Sequence, residues 1–128
     1  MSNELSILML YGLLTVAVIL VQVLAAAGQV GLPMLATPRD DMPKLTGVAG
    51  RLDRAQKNSI VAMVLFAPPV LVLALKSGFT AQSLMAAQIF LIARVLYVGV
   101  YVMGTPWLRT LVWIAGFLST VWLYFLAM

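Results

Sequence analysis

The sequence contains no cysteine and no histidine in its 128 residues. Without cysteine the chain can form no disulfide and can supply no thiolate as nucleophile or metal ligand. Without histidine it lacks the commonest metal ligand and the commonest general base. A thiol that acts as nucleophile must therefore come from a cosubstrate.

Charged side chains are also scarce. They make up 9% of the residues, whereas soluble domains carry about 25%. The four acids, Glu4, Asp40, Asp41 and Asp53, lie outside the apolar runs, so we expect no carboxylate metal site. The net charge of +4 is small and forms no basic stripe, so we expect no nucleic-acid partner.

Long apolar runs fill the rest of the sequence, which is 63% hydrophobic. A helix needs about 20 apolar residues to cross a bilayer. Four segments satisfy this length, at about 5–27, 51–75, 81–103 and 108–128. We therefore predict an all-α integral membrane four-helix bundle, forming one domain over residues 1–128.

The first apolar segment has an alternative interpretation as a signal peptide. Signal peptides open with positive residues and have an apolar core of about 7–15 residues. This segment opens with Glu4 and has a longer apolar run, so we favour a transmembrane helix.

The distribution of cations predicts an orientation. The first long loop and the residues after it hold Arg39, Lys44, Arg51, Arg54 and Lys57, and Arg109 follows the third loop on the same side. The opposite side has only Lys76. Because positive loops stay in the cytoplasm, we expect both termini outside, in a bacterial inner membrane.

Polar residues cluster at the cytoplasmic ends of three predicted helices. Arg51, Arg54 and Asn58 share one face of the second helix by their spacing. A role in fixing the membrane orientation would alone explain Arg51 and Lys57. The side-chain amide of Asn58 lies deeper in the membrane helix and needs a hydrogen-bond partner there.

The third helix carries Arg94, Tyr97 and Tyr101 on one face, and Arg109 begins the fourth. An arginine inside a membrane helix costs about 2.5–3.5 kcal/mol and usually faces the bundle interior or a wet cavity. Arg94 could instead bond to carbonyls or to Asp53, and Arg109 could extend to the headgroups. Arginine suits planar anions, so the set predicts an anion-binding pocket at the cytoplasmic face, reachable from lipid by an apolar substrate.

Two motifs resemble one known family. The first is Arg51-x-x-Arg54-Ala-x-x-Asn58 followed by Leu65-Phe66. The second is Ala93-Arg94-x-x-Tyr97-x-x-x-Tyr101-x-x-Gly104-x-Pro106-x-x-Arg109. Together with the length and the long first loop, they resemble the MAPEG superfamily of membrane-associated proteins in eicosanoid and glutathione metabolism, over essentially the whole chain.

The resemblance implies a homotrimer with glutathione sites between subunits near the cytosolic face. It implies that Arg109 is the catalytic residue that stabilises the glutathione thiolate. The glutathione-binding residues that it implies are Arg51, Arg54, Asn58, Arg94, Tyr97 and Tyr101. Arg39 or Lys44 is a candidate for a further cation from the first loop.

The chain departs from the family pattern at two positions. Val61 stands where the enzymes usually have a glutamate, and Trp113 stands where some members have a tyrosine. Two functions therefore stay open: a glutathione-dependent transferase or peroxidase acting on a small, apolar, lipid-dissolved substrate, or a non-catalytic protein that binds lipid or acts as a scaffold. A transporter is less favoured, because Pro68-Pro69 is the only expected break within a helix.

Overall fold

The computed structural model describes residues 3–104 and 106–128. Its helices are α1 (Glu4–Val30), α2 (Leu32–Ala36), α3 (Gly47–Leu75), α4 (Ala81–Met103) and α5 (Pro106–Ala127), with no strand in the described part. The four long helices are each apolar and long enough to cross a membrane. The predicted all-α four-helix membrane fold is confirmed.

Local side-chain bonds fix where the helices begin and end. The side chain of Asn3 accepts a hydrogen bond from the Ser6 backbone at the start of α1. Thr80 and Ser83 form a reciprocal capping box at the start of α4, which satisfies two otherwise unpaired donors. Gly104 ends α4 in the left-handed region at φ 79°, which glycine adopts without strain.

An aromatic cluster joins three helices in the interior. Phe66 of α3 stacks on Phe90 of α4 with ring centroids 3.9 Å apart. Tyr11 of α1 meets Phe90 edge-on at 4.9 Å, and its hydroxyl donates to the Ser59 carbonyl at 2.8 Å. α5 packs mainly along α4, which completes the bundle. The polar residues lie toward the end that carries the α1–α3 and α4–α5 connections, here called the loop-one end.

The sequence of residues 28–50, with three prolines and the Arg39-Asp40-Asp41 triplet, predicts an extended, polar first loop, and the structure differs from this prediction. α1 continues to Val30, α2 follows after Gly31, and the only other residues of this stretch outside helices are 37–46. Gln29 and Thr46 exchange two hydrogen bonds, of 3.1 Å to the Thr46 carbonyl and 2.9 Å from its N–H. The loop is therefore folded back against the ends of α1 and α3.

Candidate functional site

A cavity of about 290 Å³ opens at the loop-one end between α3, α4 and α5. Its walls are Asn58 of α3, Tyr97 and Tyr101 of α4, and Arg109, Thr110 and Trp113 of α5. Residues one turn apart share a helix face, which is why the two tyrosines point the same way, as do Arg109 and Trp113. The structure thus brings together four residues that the sequence analysis singled out: Asn58, Tyr97, Tyr101 and Arg109.

Guanidinium groups surround the two tyrosine rings, whose centroids are 5.5 Å apart. The Arg109 guanidinium carbon lies 4.8 Å from the Tyr101 centroid, and that of Arg94 lies 4.3 Å from the Tyr97 centroid. Aromatic faces attract cations at such distances. The cavity therefore combines positive charge with phenol hydroxyls, a combination suited to a ligand that carries carboxylates.

Arg54 reaches the same aromatic pair from α3. Its Nε donates to the Tyr101 hydroxyl at 3.0 Å. Its guanidinium carbon lies 5.9 Å from the Tyr101 ring centroid. Tyr101 thus contacts one cation from α3 and another, Arg109, from α5.

Arg51 has a different environment from the other predicted site residues. Its Nε donates to the Val102 carbonyl at 2.9 Å, in the last turn of α4. Carbonyls in a last turn have no partner within their own helix. Arg51 therefore links the start of α3 to the end of α4, and it does not line the cavity.

A second, largely apolar cavity of about 120 Å³ continues into the membrane-spanning region. Its walls include Val61 and Leu65 of α3, Phe90 of α4 and Phe117 of α5. Asn58 and Trp113 line both cavities, so the polar and apolar spaces adjoin. The Trp113 indole stacks on Phe117 with ring centroids 5.1 Å apart, which fixes the wall between the two spaces.

Two buried polar atoms at this junction have no hydrogen-bond partner within the described residues: Asn58 Oδ1 and Arg94 Nε. Arg94 is only 2% exposed, and its Nη2 lies 3.5 Å from Ser59 Oγ, a long contact. The one ion pair in the described chain joins Lys57 to Asp53 at 2.9 Å, so no carboxylate there compensates Arg94. Buried groups left unpaired are rare and often lie where a ligand or water binds.

No group of three or more metal-binding side chains occurs in residues 3–104 and 106–128.

A family model described as the MAPEG family matches residues 5–128. The chain belongs to the MAPEG family. No curated protein and no solved structure matches the chain significantly. Membership and the four apolar helices make it a membrane protein of the superfamily of glutathione and eicosanoid metabolism.

Thr110 and the apolar cavity of this MAPEG protein were not among the predicted site features. A signal was available on α5, because Arg109, Trp113, Gly116 and Thr120 follow one another at helical spacing. At Gly116 a Cβ atom would lie 3.5 Å from Arg94 Cδ, an ordinary van der Waals distance, so the arginine packs beside α5 at this point. The face of α5 toward the site therefore extends beyond Arg109.

Proposed function

We propose that this MAPEG protein is a membrane-bound, glutathione-dependent transferase or peroxidase acting on an apolar, lipid-dissolved substrate. The observation that carries the proposal is the junction of the two cavities. One presents Arg109 and two tyrosines to an anionic cosubstrate, and the other is apolar and lies directly beside it.

Arg109 would hold the glutathione sulfur as thiolate, because an adjacent positive charge lowers the pKa of a thiol. In a transfer reaction by addition, the thiolate forms a carbon–sulfur bond while a carbon–carbon π bond of the acceptor breaks, and the carbanion so formed takes a proton. In a transfer reaction by substitution, the carbon–sulfur bond forms while the bond to a leaving group breaks, and the leaving group departs with the electron pair. In a peroxidase reaction the thiolate attacks the terminal oxygen of a hydroperoxide and the oxygen–oxygen bond breaks. The sulfur becomes a sulfenic acid, and the alkoxide that leaves takes a proton to become an alcohol. A second glutathione then reduces the resulting sulfenic acid and releases water.

The remaining predicted residues would bind and orient glutathione. Arg54 and Asn58 supply donors from α3, and Tyr97 and Tyr101 supply hydroxyls from α4. Arg94 would act at the boundary with the apolar cavity, where its Nε lacks a partner in the described chain. Arg51 would contribute by holding the end of α4 through the Val102 carbonyl.

The test is the absorbance of bound thiolate. Glutathione added to purified protein should give thiolate absorbance at a pH well below about 8.5, the ordinary pKa of a cysteine thiol. Arg109→Leu should remove this signal and Arg109→Lys should keep part of it, while Lys76→Leu, at the opposite end, should leave it unchanged. Wild-type protein that neither binds millimolar glutathione nor shows the absorbance would overturn the proposal.

One observation favours a second function, a non-catalytic lipid-binding or scaffolding role. Val61, which replaces the glutamate usual in the family's enzymes, is 58% exposed on the wall of the apolar cavity. Without that carboxylate, the cavity offers a lipid a largely apolar wall that carries no negative charge. This function predicts that purified protein retains lipid and shows no thiolate signal.

We further propose that the protein assembles as a homotrimer. Large apolar side chains cover its outer surface, including Leu13 and Phe125, and some of this surface can pack against neighbouring subunits instead of lipid. The polar cavity would then gain a second wall. Native mass spectrometry should show three chains in mild detergents, and monomer or dimer alone would contradict the proposal.

The proposed orientation places both termini outside and the loop-one end in the cytoplasm, in a bacterial inner membrane. The orientation rests on the cations that precede α3 or lie in its first turns, and on Arg109 in the first turn of α5. A reporter fused after Met128 should score as external. If the reporter scored as cytoplasmic, the proposed glutathione cavity would lie on the outer side of the membrane, away from the glutathione in the cell.

A further inference from the structure

Two buried polar atoms at the junction of the polar and apolar cavities need hydrogen-bond partners of opposite kind. Arg94 Nε is a donor and Asn58 Oδ1 is an acceptor, and neither has a partner within residues 3–104 and 106–128. A further polar side chain on the wall of the apolar cavity is Thr120, whose Oγ1 donates to the Gly116 carbonyl at 2.9 Å. Because an unpaired buried donor or acceptor is costly, a ligand that supplies both missing bonds is favoured here.

The two atoms belong to different levels of the site. Asn58 lines both cavities, whereas Arg94 lines the apolar one and is not among the described residues that line the polar one. Arg109, the proposed partner of the thiolate, lines the polar cavity. A ligand group that meets Asn58 and Arg94 together therefore has one end toward the thiolate and the other toward the apolar walls.

Packing holds the Arg94 side chain in position before a ligand binds. Its guanidinium carbon lies 4.3 Å from the Tyr97 ring centroid, and its Nη2 lies 3.5 Å from Ser59 Oγ. A Cβ atom at Gly116 would lie 3.5 Å from Arg94 Cδ, so the side chain also packs beside α5. A donor held in this way loses little conformational freedom when a ligand binds.

The chemistry of the missing partners distinguishes between classes of substrate. A hydroperoxide carries a donor, its terminal O–H, next to an acceptor, its inner oxygen. Enones, epoxides and alkyl halides, which thiols conjugate, contain acceptors but no donor, and would leave Asn58 Oδ1 unpaired. A carboxylate would pair with Arg94 but would place its negative oxygens against the same Asn58 atom. An alcohol offers both bonds but contains no bond that a thiolate cleaves.

We propose that Asn58 and Arg94 recognise the hydroperoxide group of an apolar substrate, so that this site reduces hydroperoxides in preference to conjugating electrophiles. The inference rests on the proposed glutathione-dependent function and chooses between its two reactions. The terminal O–H donates to Asn58 Oδ1, and the inner oxygen accepts from Arg94 Nε. The Asn58 amide nitrogen keeps its proposed role as a donor to glutathione. The apolar part of the substrate lies among aromatic walls that include Phe90 and Phe117.

This placement orders the reacting atoms from the polar to the apolar cavity. The thiolate beside Arg109 attacks the terminal oxygen, and the electron pair of the oxygen–oxygen bond passes to the inner oxygen. The alkoxide therefore forms beside Arg94, whose positive charge stabilises it. It takes up, through solvent, the proton that glutathione lost on ionisation. A second glutathione reduces the sulfenic acid to a disulfide and releases water.

The experiment compares three ligands of one shape in protein without glutathione. Cumene hydroperoxide has the donor and the acceptor, cumyl methyl ether has only the acceptor, and 2-methyl-2-phenylbutane has neither. The chain has no cysteine, so no thiol of the protein consumes the hydroperoxide. Trp107→Phe with Trp122→Phe leaves Trp113, on the cavity wall, as the only tryptophan, and its fluorescence reports binding. Affinities are referred to the ligand concentration within the detergent micelle.

The wild-type site should bind the hydroperoxide most tightly. The ether should bind about two- to tenfold more weakly, because it gives up one hydrogen bond. The hydrocarbon should bind about tenfold more weakly again, because a hydrogen bond from a charged donor is stronger. Asn58→Leu should make the hydroperoxide and the ether bind equally, and Arg94→Met should make the ether and the hydrocarbon bind equally. Thr120→Val, a control on the same wall, should leave all three ratios unchanged.

Two results of the ligand series would overturn the proposal. Equal affinities of the three ligands for the wild-type site would show that water satisfies both atoms and is not displaced. Ratios that survive in the Asn58 and Arg94 variants would place the hydrogen bonds elsewhere. A thiolate signal with a flat ligand series overturns this inference alone, whereas absence of the thiolate signal overturns the function on which it rests.

Turnover at saturating glutathione gives a second readout. Arg94→Met should lower kcat for cumene hydroperoxide about 100-fold, because the developing alkoxide loses its charged donor. Arg94→Lys should recover part of this loss. With benzyl chloride, where no oxyanion forms, kcat should change far less. Equal losses with both substrates would show that Arg94 acts on the structure of the site alone, and would overturn the proposal.

Discussion

Arg54 and Tyr101 meet across the gap between α3 and α4, where the arginine Nε donates to the phenol oxygen at 3.0 Å. The two residues belong to different sequence motifs, 47 positions apart. Their contact brings both motifs to one cavity, with Arg109 packed against the same ring.

Tyr101→Phe tests this contact. The change removes the acceptor for Arg54 and keeps the ring against Arg109. A single hydrogen bond contributes about 0.5–1.5 kcal/mol, so glutathione affinity should fall about two- to tenfold. The thiolate signal at saturating glutathione should survive, because Arg109 is unchanged. Titration with glutathione at fixed pH measures both quantities, and loss of the thiolate signal at saturation would contradict the assigned roles.

Val61→Glu tests the departure from the family pattern. A carboxylate at this position would line the cavity that also contains Arg94 and Asn58. It could pair with the ammonium group of glutathione or with the uncompensated guanidinium, and we expect about tenfold tighter binding, equivalent to about 1.4 kcal/mol. Val61→Gln is the matched control, because glutamine has the same size as glutamate but carries no charge. Equal effects of the two variants would show that charge is not what the site lacks.

Arg94→Met tests whether the buried guanidinium stabilises the fold. Replacing a buried charge by an apolar side chain of similar volume is often neutral or stabilising by about 1–4 kcal/mol. Because Arg94 has no carboxylate partner in the described chain, we expect thermal stability in detergent to be kept or raised while glutathione binding falls.

Ser59→Ala is the companion variant, since it leaves the guanidinium buried with one contact fewer. It should lower stability by about 1 kcal/mol. If Arg94→Met unfolds the protein at a lower temperature than Ser59→Ala does, Arg94 is a structural residue.

Gly50→Ala tests how tightly the first loop closes on α3. A Cβ at this position would lie 2.7 Å from the Leu45 carbonyl oxygen, so the loop must move. Limited proteolysis should cut the variant faster within residues 37–46. Gly28→Ala is the control, because a Cβ there meets nothing within 4 Å and α1 gains helix propensity of about 1 kcal/mol. Equal proteolysis of both variants would show that the close approach does not hold the loop.

Helical spacing, together with the position of the helix ends at one membrane face, was enough to group Asn58, Tyr97, Tyr101 and Arg109. Each lies near one end of a long helix, where a shared level in the membrane leaves few alternative arrangements. The four-helix fold could be predicted because each of the four apolar segments is long enough to cross a bilayer. Arg51 shares the spacing of the motif, but its side chain turns to the Val102 carbonyl. Spacing gives the position of a Cα atom and leaves the direction of a long side chain open.

The folded first loop could not be predicted in the same way. Its shape depends on the pairing of Gln29 with Thr46 and on the approach of Leu45 to Gly50, and neither contact has a periodic pattern. The three prolines of the loop suggested an extended chain, yet Pro33 lies in the first turn of α2, where a missing N–H does no harm. The cavity of about 600 Å³ between this loop and the ends of α1 and α3 is a product of these tertiary contacts.

α3 runs without interruption through Pro68 and Pro69. Neither proline has an N–H, so the carbonyls of Val64 and Leu65 lose their usual helical donors. Two successive missing bonds make the middle of α3 more compliant than either end, and Leu65 lies on the wall of the apolar cavity. A change in bilayer thickness can tilt a membrane helix, and we therefore expect α3 to bend beside the apolar cavity when it tilts. The volume of that cavity would then depend on the thickness of the surrounding membrane.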